Sequence, residues 1–159
     1  MDTPDNVRLK KSTRKLLIET PGHVSYLAYI RRLIGDLARK VGFPEDDVAK
    51  IEMAVDEACS NVVAHAYAPK KEWRWKHRDP EIRLDVRAED ARLVIEIHDH
   101  GQRFDFSAYR PDEIEGRIKE MKPHGYGIFI MRKFMDEVQY SSNDKTGNTL
   151  RLVKYLKKP

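Results

Sequence analysis

The chain has 159 residues and a formal charge of +4 at pH 7, from 30 basic and 26 acidic side chains. This length suits one domain with its own core and is too short for two. Hydrophobic residues make up 40% of the chain, but no apolar run is long enough to span a bilayer. The polar N-terminus lacks a secretion signal, and the single cysteine, Cys59, excludes an internal disulfide, so we expect a cytoplasmic protein.

The start of the chain predicts a flexible tail and a first strand. Residues 1–11 are polar, so we expect a flexible N-terminus before a single domain at 12–159. Leu16-Leu17-Ile18 marks a strand, which Pro21-Gly22-His23 ends.

Two helices are predicted next. Apolar residues recur at helical spacing from Val24 to Val41, where Gly42 supplies a stop. Pro44-Glu45-Asp46-Asp47 begins the second helix, because proline and acidic residues favour a first turn. This helix is expected to run to about Tyr67.

A basic stretch at residues 70–78 interleaves Trp73 and Trp75 with lysine and arginine. Proteins that bind single-stranded nucleic acid show such patterns, but an ordinary surface loop does so more often. Acidic residues almost balance the basic ones over the whole chain. We therefore predict no direct nucleic-acid partner and no membrane contact.

The second half of the chain predicts two strands, a long loop, a third helix and two closing strands. The first two strands are expected at about residues 82–86 and 93–97, and the loop at 102–124. The helix is expected at 128–135, and the closing strands at 138–142 and 149–155. A loop of that length in a compact domain is typically either a functional lid or disordered, and we predict a lid at about 102–124. Elements with one apolar face pack in two layers. We therefore predict an α+β two-layer sandwich, with three main helices on one face of a mixed, mostly antiparallel sheet.

The second helix carries a carboxylate and a carboxamide one turn apart. Glu57 and Asn61 lie on one ridge. They border an apolar stripe formed by Ile51, Ala54, Val55, Ala58 and Val62. A carboxylate in this position can accept a proton, and an amide oxygen suits Mg²⁺. Polar residues that flank an apolar stripe are most often boundary residues that make ordinary hydrogen bonds, so the pair alone favours that interpretation over a site.

Two glycine motifs follow. Asp99-His100-Gly101 ends a strand, where a carboxylate could accept a hydrogen bond from an amine such as that of adenine. Gly125-Tyr126-Gly127 precedes a helix, whose free N–H groups and positive dipole end suit phosphate. Each motif alone is weak evidence, and ordinary turn chemistry explains an Asp-x-Gly motif more often than ligand binding does.

Taken in order, these motifs resemble the Bergerat ATP-binding fold shared by histidine kinases, gyrases, Hsp90 and MutL. The stretch from Asp56 to Tyr67 is most similar to the first motif of the bacterial anti-sigma-factor serine kinases. Residues 134–138 and 147–152 extend the similarity, which covers roughly residues 12–157. One departure is Gln102-Arg103, which replaces a second glycine seen in many relatives.

Position by position, the resemblance implies a catalytic base and a nucleotide site. Glu57 would be the general base and Asn61 the magnesium ligand. The other implied nucleotide-site residues are Asp99 and Gly101 at the adenine, Gly125 and Gly127 at the phosphates, Thr149 as a support for Asp99, and Arg31 near the phosphates.

The resemblance implies an ATP- and magnesium-dependent protein serine/threonine kinase that regulates transcription. Its substrate would be a small anti-anti-sigma factor of the STAS type, and the same domain would sequester a sigma factor. A homodimer is left open. The alternative is a non-catalytic, nucleotide-dependent module that sequesters a regulatory partner, and the presence of Glu57 favours the kinase.

Overall fold

A computed structural model describes most of the predicted domain. The described residues are 14–66, 81–89, 91–106, 116 and 126–157. Outside them lie the predicted flexible tail, the basic stretch at 70–78, Gly125 and most of the predicted lid at 102–124. Within the described part, none of the helices has the length and apolar character needed to cross a membrane.

Among the described residues, five strands form one sheet in the order β1-β2-β3-β5-β4. They are β1 (Arg14–Pro21), β2 (Glu81–Glu89), β3 (Arg92–Asp99), β4 (Glu137–Asn143) and β5 (Gly147–Tyr155). Every neighbouring pair of these described strands is antiparallel. The prediction was a mixed, mostly antiparallel sheet, and the described sheet is antiparallel throughout.

Three α-helices within residues 14–66 and 126–157 accompany the sheet. They are α1 (Leu27–Val41), preceded by a 3₁₀ turn, α2 (Glu45–Asn61), and α3 (Gly127–Phe134). Gly42 ends α1 in the left-handed conformation, with φ 107°, and its N–H donates to the last-turn carbonyls of Ala38 and Arg39. Beyond α2 the chain continues as a π-helical turn, Val62–Ala66.

The helices cover one face of the sheet. Alternation along β2 turns Ile82, Leu84 and Val86 inward, where all three are buried. The predicted stripe of α2 packs into the same core, since Ile51, Ala54, Val55, Ala58 and Val62 are also buried. The α2 helix lies between α1 and α3 and contacts both. The predicted α+β two-layer sandwich is therefore confirmed.

Strand register places the end of β3 beneath the helices. Asp99 pairs with Asn148 and Ile97 pairs with Leu150 across the β3–β5 ladder. Ile97 and Leu150 belong to the core. Since side chains two residues apart share a face, Asp99 and Asn148 also lie on the helix side of the sheet.

Candidate nucleotide-binding site

A cavity lies between α2, α3 and the sheet. Its apolar walls include Ala58 and Val62 near the end of α2, Met131 of α3 and Leu150 of β5. Its polar lining comes from Asn61, Asp99 and Gln102. A mostly apolar pocket with a few convergent polar groups is typical of a small-molecule site.

The carboxylate of Asp99 uses its two oxygens differently. The Gly101 N–H and the Asn148 Nδ2 both donate to Oδ1, each at 2.8 Å. In the part of the chain that the structure describes, these are the hydrogen bonds that Asp99 receives, so Oδ2 is left for a ligand. Asp99 is only 7% exposed, and this burial raises its pKa, while the donors Asn148 and Gly101 act in the opposite direction.

Asn148, and not Thr149, supports Asp99. Besides its bond to Asp99, the Asn148 Nδ2 lies 3.1 Å from the Gly101 carbonyl, and its Oδ1 accepts from the Ser142 hydroxyl at 2.8 Å. Thr149 points to the opposite face of the sheet, where its hydroxyl lies 3.0 Å from Nδ1 of His98. The role predicted for Thr149 is therefore wrong, because alternation along β5 puts neighbouring residues on opposite faces.

Glu57 and Asn61 meet the beginning of α3. A methyl group at position 127 would lie 3.0 Å from Nδ2 of Asn61 and 3.1 Å from Oε2 of Glu57, so close that both side chains would have to shift by a few tenths of an ångström. Tyr126, the N-cap of α3, makes no side-chain hydrogen bond to the helix. The first-turn N–H groups of α3, which have no partner within the helix, thus receive no capping bond from the Tyr126 side chain, and their helix begins beside Glu57 and Asn61.

The environment of Glu57 favours its protonated form more than water does. Burial is the main cause of its raised pKa, and the neighbouring negative charge of Asp56 adds to the effect. Arg31 of α1 lies 3.8 Å from the Asp56 carboxylate and is about half exposed. Arg31 thus stands beside the residue that precedes Glu57.

The donor set fits magnesium rather than a metal held by protein alone. Among the described residues there is no group of three or more His, Cys, Asp or Glu side chains that could hold a metal ion. Mg²⁺ keeps several waters and is usually bound through one or two protein oxygens together with substrate phosphates. The Asn61 amide oxygen beside the start of α3 meets that requirement.

The structure brings most of the predicted residues together. Glu57, Asn61 and Gly127 meet at the start of α3, and Asp99 lines the cavity with the Gly101 N–H bonded to its carboxylate. Gly125 lies outside the described residues. The sequence analysis missed Asn148. The signal was available, because Leu150 and Leu152 are apolar and face the core, and Asn148, two residues before Leu150, lies on the same face of β5.

Comparison with known proteins gives the family of the chain. Residues 20–154 match the family model of the histidine kinase-like ATPase domain. The chain belongs to this family. Its relatives include the serine-protein kinase RsbW of Bacillus cereus (strain AH820), with 29% identity over 91% of this chain and 86% of the relative. RsbW of Bacillus thuringiensis (strain Al Hakam) is 28% identical over the same shares.

Solved structures share the histidine kinase-like ATPase fold. A crystal structure of the RsbU and RsbW domains of a Mycobacterium tuberculosis protein superposes with a TM-score of 0.64 at 18% identity. The match covers 92% of this chain but only 34% of that longer chain. The SiaB-SiaC complex from Pseudomonas aeruginosa gives a TM-score of 0.63 at 12% identity, over 87% of this chain and 88% of the other. The predicted resemblance and fold are confirmed.

Proposed function

We propose that this chain is an ATP-dependent protein serine/threonine kinase and anti-sigma factor that acts in the cytoplasm. It phosphorylates a small antagonist of the STAS type and sequesters a sigma factor. The observation that carries the proposal is the meeting of the Glu57 carboxylate, the Asn61 amide and the uncapped start of α3. Relatives named serine-protein kinase RsbW support the same activity.

ATP binds with its base at Asp99 and its phosphates at α3. The free Oδ2 of Asp99 accepts from the adenine amine, and Gly101 lets the chain turn beside the base. The N–H groups at Gly127 and the helix dipole hold the phosphates. Gly125 and Arg31 complete the phosphate side. Asn61 would hold Mg²⁺, which supplies charge neutralisation at the phosphates.

Glu57 acts on the incoming hydroxyl. Phosphoryl transfer asks a protein mainly for positioning and charge stabilisation. Glu57 stands one helical turn before Asn61, so a serine or threonine hydroxyl beside Glu57 faces the terminal phosphate. The carboxylate orients this hydroxyl and accepts its proton. The similar Pseudomonas aeruginosa structure is a complex of SiaB with SiaC, and this supports a protein as the partner of the present chain.

The decisive variant is Glu57→Gln. It keeps the size and polarity of the side chain but removes the base, so phosphotransfer to the antagonist should fall about 10²- to 10⁴-fold. Labelled ATP and purified candidate antagonists encoded by neighbouring genes provide the assay. ATP binding and sigma-factor binding should persist. Glu52→Gln is the matched control, because Glu52 lies on the same helix but contacts Arg39 of α1 at 3.5 Å.

The pH profile gives a second measurement on the same pair of proteins. Glu57 must be ionised to act, and its pKa is raised, so kcat/KM should fall on acidification at a higher pH than an ordinary glutamate would give. This acid limb should be missing from the residual activity of Glu57→Gln. An unchanged rate of phosphotransfer in Glu57→Gln would contradict the role of Glu57 as the base. Absence of phosphotransfer by the unaltered protein to every antagonist would favour the non-catalytic binding module.

A further inference from the structure

The segment formed by residues 101–106 is fastened to the hairpin formed by β4 and β5. It follows β3 and contributes Gln102, Phe104 and Phe106 to the cavity wall. The backbone N–H of Phe104 donates to the Tyr140 hydroxyl of β4 at 2.9 Å. Asn148 holds the beginning of the segment through the Gly101 carbonyl, and Arg103 forms an ion pair with Asp144 in the hairpin turn.

Aromatic rings join the same two parts of the chain. The Phe106 ring stacks on Tyr140, with centroids 5.5 Å apart and planes 8° apart. Phe104 meets Phe106 edge to face at 6.1 Å. The guanidinium carbon of Arg132 lies 5.3 Å from the centroid of Phe106. All three aromatic side chains line the cavity that also contains Asp99.

Tyr140 is the residue on which these contacts converge. It pairs with Leu150 in the β4–β5 ladder, so its ring lies on the helix side of the sheet. Its ring stacks on Phe106, and its hydroxyl accepts the hydrogen bond from the backbone N–H of Phe104. Burial raises the pKa of this hydroxyl, which therefore stays neutral at physiological pH. Tyr140 belongs to none of the sequence motifs.

We propose that Tyr140 is a positioning residue that holds an aromatic wall, Phe104 and Phe106, against the purine base of the nucleotide. The inference rests on the proposed binding of ATP and adds a determinant of base recognition outside the family motifs. Aromatic faces favour stacked or edge-to-face contact with flat rings. Asp99 then reads the amine of the base, while the wall fixes the plane in which the base lies.

The proposed role of Tyr140 concerns the base of the nucleotide and not its phosphates. Tyr140 and Asp99 line the cavity, which reaches the phosphate side at Asn61, whereas Glu57 and Gly127 do not belong to its described walls. A change at Tyr140 should therefore weaken binding of a ligand with a base and spare one that has only phosphates. Inorganic tripolyphosphate is such a ligand, because it carries the phosphate chain of ATP without the nucleoside.

The experiment measures magnesium-dependent binding of ATP and of tripolyphosphate by calorimetry. Tyr140→Phe keeps the ring and removes the hydroxyl. Loss of one hydrogen bond should weaken ATP binding about 3- to 10-fold, with tripolyphosphate binding unchanged. Tyr155→Phe is the matched control, since the Tyr155 hydroxyl bonds to Glu137 on the other face of the sheet. Both ligands should bind this control as they bind the unaltered protein.

A second variant, Phe106→Leu, removes the stacked ring and leaves the hydroxyl of Tyr140 in place. It should also weaken ATP binding and spare tripolyphosphate binding. Unchanged or tighter ATP binding in both variants overturns the inference but leaves the proposed function standing. An equal loss for both ligands overturns it as well, because Tyr140 would then support the domain as a whole. Failure of the unaltered protein to bind ATP overturns the proposed function and this inference together.

Discussion

At the scale of single residues, the candidate site depends on which polar atoms already have a hydrogen-bond partner within the protein. Asn148 satisfies its amide within the protein, through Ser142, Asp99 and the Gly101 carbonyl. Asp99 receives both of its described bonds on Oδ1. A carboxylate oxygen that receives no donor from the protein and lies at a cavity wall is available to a hydrogen-bond donor of a ligand. The Oδ2 atom of Asp99 is thus an acceptor of the kind that recognition of an exocyclic amine requires.

Asp99→Asn tests this division between the two oxygens. The new amide oxygen can keep both protein donors, while its NH₂ replaces Oδ2 and faces the adenine amine with a second donor. We expect the fold to persist and ATP binding to weaken by about 1.5–3 kcal/mol, the value of one charge-assisted hydrogen bond. Calorimetry with ATP measures this loss.

Inosine triphosphate sharpens the same measurement. Its 6-oxo group accepts a hydrogen bond, so Asp99→Asn should bind it better relative to ATP than the unaltered protein does. Asp85→Asn is a suitable control, because Asp85 lies on the opposite face of the sheet, 3.3 Å from Nε2 of His98. Equal ATP affinity in Asp99→Asn and the unaltered protein would remove adenine recognition from Asp99.

At the scale of elements, the β4–β5 hairpin supports the cavity from the sheet side. Gly147 begins β5 with φ 81°, in the left-handed region that favours glycine. A methyl group there would lie 2.4 Å from the Asp99 backbone carbonyl, a contact that requires the backbone to move. Gly147 thus sets the approach of the hairpin to β3 immediately before Asn148.

Gly147→Ala should therefore damage both stability and the site. The left-handed φ and the clash together should lower the free energy of unfolding by more than about 1 kcal/mol. ATP binding should weaken in parallel, because Asn148 would shift away from Asp99. Urea denaturation and calorimetry measure the two effects.

Gly42→Ala is the control for this variant. Gly42 also has a left-handed φ, 107°, but a methyl group there would meet no atom within 4 Å. It should lose stability through backbone strain alone and keep its ATP affinity. If Gly147→Ala binds ATP as well as Gly42→Ala does, the hairpin does not position the site.

At the scale of the whole molecule, Lys154 joins the two layers away from the cavity. It extends from β5, is only 6% exposed, and donates to the Phe134 carbonyl at the end of α3 at 2.8 Å. Its Nζ also lies 3.6 Å from Asp136 and 3.9 Å from Asp47 in the first turn of α2. One buried cation therefore ties the sheet to two helices.

Lys154→Met should destabilise the domain without changing its site. It keeps much of the apolar stem but leaves the Phe134 carbonyl and the carboxylates without their cation, at a cost of about 1.5–3 kcal/mol in the free energy of unfolding. Urea denaturation measures this cost, and ATP affinity should stay the same. Lys50→Met removes an ion pair with the exposed Asp46 and a 3.6 Å contact with Asp47, and it should have a much smaller effect. Equal losses in the two variants would contradict the bridging role of Lys154.

Much of the fold was predictable because its signals are local. The apolar period of about 3.6 residues in α2 and the alternation in β2 each follow from residues within one element. Pro44 with its acidic neighbours and Gly42 marked helix ends that the structure reproduces. The order of these elements, with their motifs, was enough to predict the two-layer sandwich and the family.

The sequence by itself thus determined the elements, the inward faces and the candidate residues Glu57, Asn61 and Asp99. Tertiary structure decided which residues meet. Asn148 replaces Thr149 as the partner of Asp99, and Tyr140 reaches Phe104, because strand register joins residues far apart in the chain. Gly127 lies against Glu57 and Asn61 only once α3 packs on α2. Such contacts depend on the closure of long loops and on the packing of whole elements, which no local pattern records.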